Sequence, residues 1–123
     1  MPCKIEIIVN NQPLALPLIA VYCDTFLCRL RGLMFKRELA LETGLLLVQA
    51  RDSRIDTSIH MLAVFMDLGV VWIDSKFAVV DIIIAKSWRP AYFPVKPAKY
   101  ILEVQPARTA DFHLGDRVTF NEI

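Results

Sequence analysis

Gly69-Val70-Val71-Trp72-Ile73-Asp74-Ser75-Lys76-Phe77-Ala78-Val79-Val80-Asp81-Ile82-Ile83-Ile84-Ala85 decides the fold. Valine and isoleucine dominate both halves. Their branched side chains are stiff and suit a pleated, half-buried surface. Asp74-Ser75-Lys76 has turn chemistry and separates the halves. The stretch therefore predicts two antiparallel strands, Gly69 to Ile73 and Phe77 to Ala85. Upstream, Ser58 to Met66 is apolar enough to be a further strand. Asp67-Leu68-Gly69 supplies a turn after it, which gives a three-stranded meander.

Working outward, Lys4 to Val9 alternates polar and apolar residues with Ile5, Ile7 and Val9 on one face, a strand pattern. Asn10-Asn11-Gln12-Pro13 is a turn, and Leu14 to Tyr22 reads as a second strand with Pro17 at an edge or bulge. Asp24 suits an N-cap. Phe26, Leu27, Leu30, Leu33 and Met34 follow at helical spacing and predict an amphipathic helix ending near Gly32. It is the one helix expected to exceed two turns. Gly44 opens a strand through Val48, and Ala50 to Thr57 reads as a loop. Tyr100 to Val104 and Val118 to Phe120 are further strands, with a short helix over Ala107 to Phe112. The fold class is α+β: mostly antiparallel β, a compact barrel-like sheet with one or two short helices. Leu33, Met34, Leu46, Val71, Ile83 and Leu102 are the expected core.

Length and composition set bounds on this reading. The 123 residues are 55% hydrophobic and 22% charged, with a net charge of +1. That is one domain over 1–123, too apolar for disorder. It is also too neutral for nucleic acid or an anionic membrane as the main partner. The mean hydropathy of +0.44 is high for a small chain. A rich core, or a homodimer covering apolar surface, accounts for it. Met1-Pro2-Cys3-Lys4 lacks signal-peptide character. The apolar run from Met61 to Ile73, broken by Asp67, is too short to span a bilayer. A cytoplasmic location is expected. Cys3, Cys23 and Cys28 are odd in number and match no metal or redox spacing, so they are read as ordinary thiols. No metal or cofactor is expected, and no catalytic residue is assigned.

Further motifs punctuate the chain: Arg31-Gly32-Leu33-Met34-Phe35, Ser58-Ile59-His60, Ala98-Lys99-Tyr100-Ile101-Leu102-Glu103 and Leu114-Gly115-Asp116-Arg117-Val118. With Gly44 and Val70-Val71-Trp72-Ile73-Asp74, their order and spacing from Val21 to Phe120 resemble the family catalogued as domain of unknown function 192. The resemblance implies a compact, mostly β domain and supplies no established substrate, cofactor or catalytic residue. One branch of that family reads Met-Arg-Phe-Pro-Ile-Asp before the Val-Val strand. Here Val64-Phe65-Met66-Asp67-Leu68-Gly69 lacks the arginine and proline, and Gly69 stands at the aspartate. A role carried by those residues is therefore lost or moved in this chain.

Six residues form the candidate ligand-binding set: Arg31, His60, Asp67, Trp88, Tyr92 and Lys99. An imidazole titrates near neutral pH, so His60 suits a ligand or a general base, or else a buried side chain bonded to backbone. Asp67 is either a buried acid or a turn residue. Trp88, Tyr92 and Phe93 lie in the proline-rich loop from Lys86 to Ala98. They either line a groove or close the barrel. Arg31, with Arg29, Lys36 and Arg37, either holds an anion or solvates a helix face. Lys99 belongs to the Ala98–Glu103 motif. The preferred reading is a non-enzymatic domain that binds a small molecule or a protein partner. The alternative is a small hydrolase-like enzyme using His60 with Asp67 or Asp74, and a structural homodimer stands third. Convergence of His60 and a carboxylate in one concave pocket separates binding from catalysis.

Overall fold

The computed structural model describes residues 3–123. Its strands are β1 (Cys3–Val9), β2 (Gln12–Pro13), β3 (Ile19–Cys23), β4 (Thr43–Ser53), β5 (Leu68–Ile73), β6 (Val79–Ala85), β7 (Ala98–Val104) and β8 (Val118–Glu122). The helix α1 covers Phe26–Arg31, and a short 3-10 helix covers Pro106–Asp111. The strands form one sheet in the order β2-β1-β3-β4-β7-β5-β6, with β8 paired to β1. All pairings are antiparallel except β3 with β4. The sheet curls into a half-barrel, and its two ends meet where Ala78 bridges Arg117. The hairpin that decides the fold is present: Val70 faces Ile83 and Val71 faces Ile82.

The sheet is buried on both faces. Ile5, Ile7, Leu46, Val71, Leu102 and Val118 pack inside the curl. Leu45, Leu47, Val70, Trp72 and Ile101 face the other way, against Leu33, Ile59, Met61 and Val64 from the connecting segments. All six residues of β5 are buried for this reason. Two apolar faces on one sheet account for much of the high hydropathy within the chain itself.

Several elements depart from the sequence-based expectation, each for a physical reason. The segment from Ser58 to Met66 is not a strand. It crosses the outer face as irregular chain, with an isolated β-bridge from Ile59 to Tyr92. Its apolar residues serve a lid, whose burial pattern imitates a strand. Asp67 consequently makes no hairpin turn, and β5 begins directly after it at Leu68. The expected strand from Leu14 to Tyr22 is confined to Ile19–Cys23, and β4 continues to Ser53 past a bulge. Helix α1 is only six residues long and is capped by the Thr25 hydroxyl rather than by Asp24. None of its residues is buried; Phe26, Leu27 and Leu30 are 69%, 75% and 54% exposed. Its apolar stripe therefore faces outward. Leu33, Leu46, Val71 and Leu102 are buried as expected, whereas Met34 and Ile83 are half-buried.

The thiol reading of Cys23 and Cys28 is corrected as well. They form a disulfide with Cα atoms 5.7 Å apart, joining the end of β3 to α1. Cys3 is free. Such crosslinks persist in oxidising compartments and in intracellular proteins of hyperthermophiles. Among the described residues, no helix is long and apolar enough to cross a membrane.

Candidate functional site

Glu103 lies on β7 directly between Leu45 of β4 and Val70 of β5. The alternation that turns Tyr100, Leu102 and Val104 into the curl turns Glu103, with Ile101, onto the opposite face. A carboxyl group is thereby placed in the middle of an apolar layer, 5% exposed. Burial disfavours its charged form and pushes it up to about 7 from an ordinary 4.5.

The lid reaches Glu103 because buried hydrogen bonds fix its path. The Trp72 indole donates to the Thr57 carbonyl at 2.7 Å, and the Thr57 hydroxyl donates to the Ser53 carbonyl. Ile59 and Tyr92 exchange backbone hydrogen bonds at 3.0 and 2.9 Å. These anchors leave Ser58 and His60 over the end of α1. Gly32 ends that helix, its N–H bonded to the Cys28 carbonyl, with φ at 48° and ψ at −126°. That conformation favours glycine. A Cβ on Gly32 would lie 3.9 Å from Glu103 Oε1.

Arg31, Gly32, Ser58, His60 and Glu103 thus surround one small cavity of about 50 Å3. Two of these residues carry a buried atom with no hydrogen-bond partner among the described residues, His60 Nδ1 and Glu103 Oε1. Beside it opens an apolar cleft of about 580 Å3, lined by Leu27, Leu30, Met34 and Leu62. Arg31 and His60 border both spaces. The outward stripe of α1 forms one wall of this cleft.

The other members of the candidate set lie elsewhere. Asp67 accepts from the Ser87 N–H at 2.9 Å and pairs with Lys86 at 3.3 Å. The Ser87 N–H, then Lys86, holds its carboxyl below the usual range despite some desolvation. It anchors the loop after β6. The Tyr92 hydroxyl accepts from the Lys86 N–H at 2.8 Å, and its ring packs on the outer layer. Trp88 is 53% exposed and meets Phe65 edge-on at 5.7 Å. Lys99 extends its ammonium over the Tyr100 ring. Asp74 accepts from the N–H groups of Lys76 and Ala78 in the β5–β6 turn. The carboxylate that converges with His60 is therefore Glu103, which sequence reasoning missed. Its signal was present: one acid in the apolar run Tyr100-Ile101-Leu102-Glu103-Val104. Among the described residues, no cluster of three or more His, Cys, Asp or Glu is placed to hold a metal.

Residue Gly69, at the family's aspartate position, has its own cause. A Cβ there would meet Thr109 Cγ2 at 2.6 Å and the Gln105 carbonyl at 3.1 Å. The 3-10 helix rests directly on this part of β5.

Comparison with known proteins places the chain. It is 40% identical over 99 residues to a UPF0127 protein, TK1120, of Thermococcus kodakarensis, covering 79% of this chain and 61% of that one. A UPF0127 protein of Pyrococcus furiosus, PF1050, is 33% identical over 83% of this chain and 86% of its own length. The match spans about three-fifths of the two Thermococcus relatives found first. Among solved structures, a putative transcription regulator from Sinorhizobium meliloti 1021 superposes with a TM-score of 0.81 at 18% identity, over 98% of this chain and 94% of that one. A protein of unknown function from Novosphingobium aromaticivorans gives 0.74 at 18% identity, over 97% and 84%. At these identities the two structures share the fold. The family model DUF192, described as an uncharacterised ACR, matches residues 8–120, and the chain belongs to that family.

Proposed function

We propose that the domain binds a small amphipathic molecule in the cleft between α1 and the 58–62 segment. A short aliphatic part would lie on Leu27, Leu30 and Leu62, and its polar end would enter the cavity under His60. The observation that carries this reading is a pair of buried atoms without hydrogen-bond partners among the described residues, His60 Nδ1 and Glu103 Oε1, on two residues that line one cavity. A buried polar group without a partner costs about 1–3 kcal/mol. A head group that both donates and accepts, such as a carboxamide, would recover that cost at two points. The cavity of about 50 Å3 has room for a head group or a water, and the apolar cleft beside it takes the rest.

His60 and Glu103 line one cavity, as the enzymatic reading asks, but binding is preferred because no nucleophile is prepared beside them among the described residues. The Ser58 hydroxyl donates to the Ile55 carbonyl. No hydrogen bond joins His60 to Glu103. An enzymatic reading has one observation in its favour, a carboxylic acid poised near neutrality beside an imidazole.

The test uses hexanamide, hexanol and cyclohexane as probes in amide NMR. Hexanamide should shift Gly32, His60 and Leu62, with hexanol weaker and cyclohexane weakest. Glu103→Leu and Leu30→Asp should each weaken hexanamide at least tenfold. Shifts that map to another part of the molecule, or equal binding of all three probes, would count against the reading. Hydrolysis of amide or ester probes that His60→Ala abolishes would move the enzymatic reading ahead.

A further inference from the structure

The inside of the half-barrel holds a second space, separate from the cleft. Its volume is about 670 Å3, and it opens at the end where β1, β3 and β8 leave the core. Strand alternation determines what lines it. On β8, Val118 is core and Phe120 packs on it, so Glu122 is the next inward position. On β3, Ala20 is core and Tyr22 packs on it, which places Asp24 next. The apolar layers of the barrel thus end in acids rather than in a closing layer of aliphatic residues.

The floor beneath these acids is aromatic. Phe77 and Tyr100 stack at 5.5 Å with 22° between their planes. Phe120 stands edge-on to both, at 5.7 and 5.1 Å. Tyr22 completes the wall, and burial raises its hydroxyl above the ordinary phenol value, so it stays neutral at physiological pH. The faces of such rings carry negative potential and attract cations. The protein already uses this: the Lys99 ammonium lies 5.4 Å from the centroid of Tyr100.

The charges at the rim are not symmetric in their engagement. Arg117 lines the space, but its Nη1 donates to the Lys76 carbonyl at 3.3 Å. Lys99 is taken up by the ring. Among the described residues, Glu122 accepts only the weak thiol donor of Cys3, at 3.5 Å. Asp24 has no side-chain hydrogen bond or ion pair among the described residues. Acceptors for a positive charge are in excess over an aromatic floor.

We propose that the mouth of the half-barrel is a binding site for a small organic cation carried on an aromatic ring, an arylalkylamine in chemical class. The ring packs among Tyr22, Phe77 and Phe120, and the ammonium pairs with Asp24 and Glu122, displacing Lys99 from the Tyr100 face. The site is independent of the cleft near His60, which lies on the other face of the sheet.

Isothermal titration and amide NMR on the full chain test this with three nearly isosteric probes: 2-phenylethylammonium, 2-phenylethanol and phenylacetate. The ammonium should bind at least tenfold more tightly than the alcohol, and phenylacetate weakest. Shifts should fall on Cys3, Tyr22 and Thr119, and His60→Ala should leave them unchanged. The double variant Asp24→Asn with Glu122→Gln alters only exposed rim positions. It should bring the ammonium and the alcohol to equal affinity. Lys99→Met should tighten the ammonium severalfold, because the competing internal cation is gone. A plug, Cys3→Trp, should abolish binding of all three probes while thermal unfolding stays cooperative. Equal affinity of ammonium and alcohol in the parent, no binding of the ammonium, or weaker binding in Lys99→Met would each overturn the proposal.

Discussion

Glu103 shows how much a single residue can be made to carry. Between its ordinary value of 4.5 and about 7, the folded protein keeps a proton on this acid that the unfolded chain has lost. Folding therefore takes up a proton in that window, and this group's effect on stability becomes less favourable as pH rises through it. The full change is about 3 kcal/mol for a shift of this size. Glu103→Gln should remove this dependence. Denaturant midpoints of parent and variant should be similar near pH 4.5 and diverge toward pH 8, with the variant the more stable. Parallel pH profiles would contradict the burial argument. Gly69 gives a second residue-scale expectation. Gly69→Ala pushes a methyl into Thr109 and the Gln105 carbonyl, and overpacking of this kind costs about 1–3 kcal/mol. A midpoint equal to the parent's would show that the 3-10 helix yields. Both residues were in plain view in the sequence. Neither announced its role, because the face on which a strand residue lands depends on pairing with strands far away in the chain.

At the scale of elements, the strands were the legible part. The β5–β6 hairpin, β1, β7 and β8 follow from alternation and turn chemistry, which are local. The lid from Ser58 to Met66 was misread because irregular chain packed on a sheet carries the same apolar density as a strand. Periodicity cannot separate the two when the run is short. Helix α1 was misread in the opposite sense. Its stripe is real, but only Leu33 and Met34 beyond the helix end are covered, while Phe26, Leu27 and Leu30 stay exposed among the described residues. Such a helix, six residues long, has little intrinsic stability. The structure ties it down by other means: the Cys23–Cys28 crosslink, the Thr25 cap, and Arg29 donating to the carbonyls of Asp24 and Val48. Reduction, or Cys28→Ser, should therefore loosen α1 selectively. Amide hydrogen exchange at Arg29 and Gly32, whose N–H groups bond within the helix turn, should speed up at least tenfold. Amides in β5 and β7 should not change. Unchanged exchange at Gly32 would mean that the cap and Arg29 suffice.

On the scale of the whole molecule, curling gives one sheet two different interiors. Inside lies an aliphatic core that ends in an aromatic mouth. Outside lies a second apolar layer, roofed by the lid and interrupted by one acid. Leu102 belongs to the first layer and is fully buried. Leu102→Ala should cost about 2–5 kcal/mol by urea titration. A smaller loss would mean that the inner core can collapse around the gap. The fold was legible because each layer leaves its alternation in the sequence. The candidate site was only half legible: Arg31 and His60 stand in the sequence-based set, but Glu103 comes from β7 and Gly32 from the end of α1. Only the closed sheet and its lid bring these together. In the proposed site, folding buries the Glu103 carboxyl in the cavity lined by His60, without a hydrogen-bond partner among the described residues and ready to receive a head group. The most direct measurement is a side-chain carboxyl 13C NMR titration of Glu103 from pH 3 to 9, in the folded protein and in urea. We expect an inflection near 7 in the folded protein, set by burial, and an ordinary carboxylate inflection in urea. An inflection in the ordinary range in both states would contradict it.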